Sequence, residues 1–201
     1  MSKALSGLSA AAQPRAQHRY ALAVIAAGLV GLAAWGITEF PYIDWHPVAA
    51  PVEGEVPLKL RHDAKGSGFY GAPRSGGREH HGIDLAASRG SPVYAIRSGR
   101  VVEAGQHRGL GRYVELRHRR GLSSLYAHLD EALVRAGDRV RQGQPIGSVG
   151  KTGNARHPWI MPHLHLEVAQ GRARIDPSSL GLVIAGADSG TGSPPDASGG
   201  E

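Results

Sequence analysis

The strongest constraint on the fold is a train of short β-prone runs cut by glycines and charged turns. Pro92–Ile96, Gly99–Ala104, Tyr113–Arg117, Ser123–His128, Arg139–Val140, Pro145–Val149 and His163–Val168 follow one another along the chain. Most span about four to six residues, shorter than ordinary helices. Such a succession predicts an all-β fold, a small antiparallel β-sandwich or barrel-like domain with a groove, and argues against alternating βαβ units. One short helical turn is expected within Asp130–Ala136.

Upstream the pattern is different. Ala21 to Ile37 is seventeen residues without a charge, at the short end of what spans a bilayer as a helix. Tyr20, Trp35, Phe40 and Tyr42 sit near its ends, where interfacial aromatics are expected. Lys3, Arg15 and Arg19 precede the run and no Lys or Arg recurs until Lys59, which predicts a cytoplasmic N-terminus. A cleaved signal peptide is the rival reading, but Trp-Gly-Ile-Thr-Glu-Phe-Pro offers no small-x-small cleavage site. The expected layout is a cytoplasmic tail over 1–19, a single-pass transmembrane signal anchor over 20–38 and a Pro-rich extended tether over 39–57. A globular domain over 58–183 and a disordered tail over 184–201 follow. This layout puts the domain in the periplasm or extracytoplasmic space.

Composition narrows the chemistry. The chain has no cysteine, which excludes disulfides, thiolate metal sites and cysteine nucleophiles. Residues 58–183 hold 20 Lys and Arg against 10 Asp and Glu, a balance of +10 that favours anionic surfaces. No recognition helix or aromatic-basic RNA motif accompanies that charge, so nucleic acid is not the expected partner.

The residues that carry chemistry are split along the chain: His80-His81-Gly82-Ile83-Asp84, Tyr126-Ala127-His128-Leu129 and His163-Leu164-His165. Even offsets on extended chain share a face, so His80 should align with Asp84 across Gly82, which leaves room for an ion. His163 and His165 should likewise share a face, with Leu164, Leu166 and Val168 turned to a core. His80, Asp84 and His165 would supply two imidazoles and one carboxylate to one zinc ion, with the fourth position open for water. His128 and His163 would stand beside it as proton acceptor and transition-state stabiliser. His81 falls on the opposite face and reads as structural or as a support behind the ligands. His46, His62, His107, His118 and His157 lack such context and read as surface residues.

Taken in order, His80-x-Gly82-x-Asp84, Ser91-Pro92-Val93-Tyr94-Ala95, Gly99-x-Val101, Tyr126-Ala127-His128-Leu129, Gly143-Gln144-x-Ile146-Gly147 and Pro162-His163-Leu164-His165-x-Glu167 resemble the lysostaphin-type, LytM-like zinc endopeptidases that cut peptidoglycan. The resemblance covers roughly Gly66 to Leu180. It implies a small antiparallel β-sandwich with the site in a groove. By the same resemblance, His80, Asp84 and His165 match the zinc ligands, and His128 and His163 match the two histidines assigned to catalysis. The implied reaction is hydrolysis of a peptide bond in the stem or cross-bridge peptides of peptidoglycan. One departure stands out. Thr152-Gly153 is followed by a long loop, Asn154 to Met161, where the family has a compact turn before Pro-His-Leu-His. Either it rebuilds a groove wall, or it is a tolerated surface insertion.

Two other readings compete. Degenerate relatives of that family resemble non-catalytic regulators of other wall hydrolases, but those usually lack metal ligands and this chain keeps all five positions. Gly137-Asp138-Arg139-Val140-x-x-Gly143-Gln144-Pro145-Ile146-Gly147 also resembles β-turn segments of lipoyl, biotinyl and membrane-fusion adaptor domains. No modifiable lysine stands at its hairpin tip, so it reads as a shared hairpin solution.

Overall fold

The computed structural model describes residues 14–54 and 56–185. The expected disordered tail lies outside the described residues apart from its first two positions, as does most of the expected cytoplasmic tail. The chain divides into two compact units between Ile43 and Asp44.

The first unit is a helix, α1, over Pro14–Glu39, 26 residues long. Its stretch Tyr20–Glu39, 20 residues at mean hydropathy 2.0, is long and apolar enough to cross a membrane, a test that a signal sequence also passes. Leu22, Val24, Ile25, Leu29, Leu32 and Trp35 are all exposed. A helix that is apolar all round has no soluble face to show to water.

The second unit holds thirteen strands among the described residues. Two short hairpins come first, β1 (His62–Asp63) with β2 (Gly66–Ser67) and β3 (Pro73–Arg74) with β4 (Arg78–Glu79). The remaining strands are β5 (Gly82–Ala86), β6 (Pro92–Tyr94), β7 (Gly99–His107), β8 (Gly111–His118), β9 (Leu122–Ala132), β10 (Arg139–Val140), β11 (Pro145–Val149), β12 (His163–Gln170) and β13 (Ala173–Ile175). They form one nine-stranded sheet in the order β10-β7-β8-β9-β11-β6, with β12 on β9, and β5 and β13 on β12. Every pairing between these strands is antiparallel.

Alternation explains which faces pack. In β8, Val114, Leu116 and His118 are buried while Tyr113 and Glu115 are half-buried and Arg117 faces water, the period of two that a half-buried strand requires. Val93, Val101, Leu116, Tyr126, Ile146, Leu164 and Leu166 from six different strands belong to a single core cluster. A flat sheet would present two separate faces, so one shared cluster means that the sheet curls over itself. Tyr126 is the largest of these side chains, and its hydroxyl accepts Ile96 N–H (2.9 Å) and is hydrogen-bonded with the Ser124 hydroxyl (3.0 Å). His118 completes that network through Ser124 Oγ (2.7 Å) and Ser98 O (3.1 Å). It is buried, against its reading as a surface residue, because these partners satisfy both ring nitrogens.

Three expectations change. Asp130 to Ala132 continue β9 and no helical turn forms before Gly137, since Leu133 N–H is taken by Ile146 O (2.9 Å) across the sheet. Residues expected as a tether up to 57 are fastened to the domain from Asp44 onward. Asp44 Oδ1 accepts Ser98 N–H (2.9 Å), Pro47 O accepts Arg97 Nε–H (2.5 Å), and Val52 is buried and bridges to Val93. At the other end, Leu58 bridges to Ile184, which is buried and extends the packed chain past 183.

The sheet branches at one residue. On one edge β9 pairs with β12 up to Ala127 and with β11 from Leu129 onward. His128, between them, has φ 62°, a left-handed value uncommon outside glycine. Four consecutive residues, Tyr126 to Leu129, are buried where strict alternation would bury two. Such a bulge re-aims a side chain, and here the chain invests it in a histidine.

Candidate metal centre and groove

Strand register brings the distant residues together. Antiparallel pairing sets His165 of β12 directly opposite Asp84 of β5, and opposite Ala127 of β9 on its other edge. Gly82 permits this closeness: a Cβ there would lie 2.3 Å from Leu166 O. The space at Gly82 is therefore taken by the neighbouring strand, and the expected room for an ion lies elsewhere. His80 precedes β5 and is held by its N–H to Ala72 O (2.9 Å). It still converges on Asp84, though the backbone between them is only partly strand.

Three ligand atoms face one another. His80 Nε2 lies 3.0 Å from His165 Nδ1 and 3.0 Å from Asp84 Oδ1, and His165 Nδ1 lies 2.8 Å from Asp84 Oδ1. All three side chains are buried. The second ring nitrogens are occupied by acceptors, His80 Nδ1 by Phe69 O (2.7 Å) and His165 Nε2 by Glu167 Oε1 (3.0 Å). Those acceptors draw the protons to the outer nitrogens and turn lone pairs inward. Three converging lone pairs repel unless a cation lies among them. Tetrahedral zinc at about 2.0–2.1 Å from nitrogen and oxygen places its ligand atoms roughly 3.3 Å apart, so this triangle fits zinc after small relaxation.

Asp84 is anchored from behind. Its Oδ2 accepts from Arg61 Nη2 (2.8 Å) and Arg74 Nη2 (3.0 Å). Burial lowers the pKa of His80.

His128 and His163 flank the triangle. His128 Nδ1 donates to Thr152 O (3.0 Å) and His163 Nδ1 donates to Met161 O (2.7 Å), which leaves both Nε2 atoms as acceptors. Their ring centres are 5.0 Å apart, and His163 Nε2 lies 3.9 Å from Asp84 Oδ1. Burial, followed by the neighbouring His165 and His163, pushes His128 down to about 3, and burial likewise lowers His163. Both are neutral bases at ordinary pH. Thr152 is pinned by its own hydroxyl, which donates to Leu129 O and accepts Arg112 N–H, both at 2.9 Å. Gly111 and Gly153 let these segments meet, since a Cβ on either would lie 2.2 Å from an atom of the other segment and both have positive φ.

All five predicted residues line one open groove of about 530 Å³. His107, Leu110, Asn154 and Ile160 line it from the β7–β8 turn and the 154–161 loop, and Lys65, Arg74 and Arg78 from the two hairpins. His81 is exposed and lines the groove too, and His107 does so although its sequence context marked nothing. The long loop is thus part of the wall, with Trp159 and Met161 exposed and Ala155 buried. Arg61 and Arg74 support Asp84 yet drew no attention in the sequence, because an arginine becomes a partner only through distant register. Glu167, which supports His165, stands at the end of Pro162-His163-Leu164-His165-x-Glu167, but that motif gave it no role.

Comparison with known proteins agrees with this geometry. The profile of Peptidase family M23 matches residues 78–177. The DD-carboxypeptidase/endopeptidase Mpg of Neisseria meningitidis is 41% identical over 105 residues, 52% of this chain and 23% of that protein. The chain spans less than a quarter of the length of such curated relatives. The catalytic domain of the antimicrobial peptidase lysostaphin from Staphylococcus simulans is 35% identical at TM-score 0.50, over 55% of this chain and 86% of that one. A zinc-containing peptidase from Vibrio cholerae is 30% identical at TM-score 0.53, over 67% of this chain and 39% of that one.

Proposed function

The chain belongs to peptidase family M23, and from that premise we propose that it is a zinc metalloendopeptidase that hydrolyses peptide bonds in peptidoglycan stem or cross-bridge peptides. The observation that carries this reading is the triangle of His80 Nε2, Asp84 Oδ1 and His165 Nδ1, lone pairs inward, with two neutral imidazoles beside it. Those three residues would hold one zinc ion per chain. Zinc supplies a Lewis acid and a water of lowered pKa when bound.

The chain's own residues do the rest. Either Nε2 of His128 or His163 can accept the proton released as water attacks the scissile carbonyl. The carbonyl oxygens of Thr152 and Met161 stabilise the imidazolium so formed, and Asp84, 3.9 Å from His163, adds its charge. The protonated imidazole then donates to the developing oxyanion and passes its proton to the leaving amine. Burial keeps both histidines unprotonated between turnovers.

The wall as substrate is supported by the endopeptidase relatives and by the +10 balance of residues 58–183, suited to an anionic polymer. Action outside the cytoplasmic membrane is supported by the apolar stretch Tyr20–Glu39 of α1 and by Lys3, Arg15 and Arg19 ahead of that stretch, which favour a single-pass anchor with the N-terminus inside.

The test uses the full chain in detergent. Purified protein should bind about one zinc and release peptides from defined muropeptides, read by mass spectrometry, with loss of activity on chelation. His165→Ala should lose the metal, whereas His128→Ala should keep it and lose turnover by about 10²-fold or more. Tight zinc binding with no cleavage of any wall preparation would instead support a regulator of other hydrolases.

A further inference from the structure

Asp63 stands outside the residues matched by the family profile, yet its carboxylate reaches both halves of the site. Its side chain is 7% exposed. Oδ1 accepts from Arg61 Nη1 (2.5 Å) and from Lys65 N–H (2.9 Å), and Oδ2 accepts Met161 N–H (3.0 Å). Arg61 continues to Asp84 Oδ2 (2.8 Å), and Met161 O receives His163 Nδ1–H (2.7 Å). One carboxylate is thus two hydrogen bonds from a metal-ligand carboxylate and two from a catalytic imidazole.

We propose that Asp63 is a positioning residue that locks the 154–161 loop to the site and holds His163 in its Nδ1–H tautomer, with Nε2 free for proton transfer. The kinetic part rests on the endopeptidase reading. An aspartate serving only its own turn needs Oδ1 for Lys65 N–H, and Oδ2 would be free to face water. Here Oδ2 crosses to a residue 98 positions away. Met161 precedes Pro162, so its backbone is restricted to extended conformations, and fixing its N–H therefore also sets the direction of its carbonyl. That carbonyl decides which nitrogen of His163 carries the proton. The half-exposed Met161 side chain provides little packing to hold this residue. The loop that departs from the family pattern is in this way tied to the catalytic group by a residue that lies upstream of the matched region.

Asp63→Asn tests the link. An amide must aim its NH₂ either at Met161 N–H or at the Arg61 guanidinium, donor against donor, so one arm breaks while the shape is kept. In the zinc-loaded full chain, the variant should keep about one zinc. Its kcat on a defined muropeptide should fall about tenfold or more with KM changed less than about twofold, as expected for loss of a general-base geometry. Nitrogen-15 spectra of the histidine rings should show His163 protonated at Nδ1 in the wild type and no longer so in the variant. Wild-type turnover, or an unchanged His163 tautomer in the folded variant, would overturn the proposal. If the variant does not fold, amide exchange of Met161 in the wild type decides: protection on the order of 100-fold upholds the link, and exchange at the free-loop rate overturns it. A wild type that cleaves no substrate would sink the endopeptidase reading alone, since tautomer and exchange would still report on Asp63.

Discussion

His165 Nε2 and Glu167 Oε1 lie 3.0 Å apart, two residues along one strand face, and that contact turns the lone pair of His165 Nδ1 toward Asp84 and His80. Glu167 is itself paired with Arg174 from β13. The carboxylate therefore orients a ligand without touching the place where an ion would lie. Glu167→Ala should weaken zinc binding by about 10–100-fold with the fold intact. Competition against a chromogenic chelator measures this, and an affinity within twofold of wild type would deny Glu167 the role.

Gly82 should tolerate no side chain. A methyl group there meets Leu166 O at 2.3 Å, in the strand pair that aligns Asp84 with His165. Gly82→Ala should cost more than about 3 kcal/mol, or prevent folding, because the obstacle is backbone. Gly105→Ala, whose Cβ would meet only Tyr113 ring atoms at 3.4–3.5 Å, should cost about 1 kcal/mol or less. Urea titration of both variants would expose an error if they lost equal stability.

Tyr126→Phe should destabilise the domain without altering the groove. The change leaves Ile96 N–H buried with no acceptor and removes the hydrogen-bond partner of the Ser124 hydroxyl. A loss of about 1–3 kcal/mol is expected, with zinc affinity unchanged. Denaturant midpoints and metal titration together check both halves of the statement.

Acid should destabilise the metal-free protein through His128. Burial, with His165 and His163 nearby, holds its folded pKa down to about 3, against roughly 6.5 in the unfolded chain. Between those values the unfolded state binds a proton that the folded state refuses. Its contribution is therefore fully present above about pH 6.5 and is lost as pH falls, with a slope of up to about 1.4 kcal/mol per pH unit. His128→Asn, chosen because Asn tolerates the left-handed backbone at φ 62°, should show a correspondingly shallower slope in chelator. Parallel slopes for the two proteins between pH 6.5 and 4.5 would contradict this cause.

Much of the fold was legible because its signals are local. The alternation of apolar and polar residues in Tyr113–Arg117 and in His163–Val168 marks strands wherever they pair, and both lie within observed strands. The helical turn expected at Asp130–Ala136 failed because Leu133 N–H finds Ile146 O across the sheet, a partner that no local pattern reveals. The tether was misjudged from Asp44 onward for a related reason. Prolines signal extended chain equally well whether it is free or, as at Val52, packed on Val93.

The sequence by itself determined the kind of chemistry available: imidazoles and carboxylates without thiols, and short antiparallel strands to carry them. It also determined family membership, since the ordered motifs extend across the matched residues. Tertiary structure alone decided which atoms meet. Register sets His165 against Asp84, a bulge at φ 62° turns His128 into the groove, and Asp63 reaches Met161 98 positions away. Lone-pair direction, tautomer and ligand spacing depend on hydrogen bonds between residues far apart in the chain, and such bonds exist only once the sheet has closed on its core.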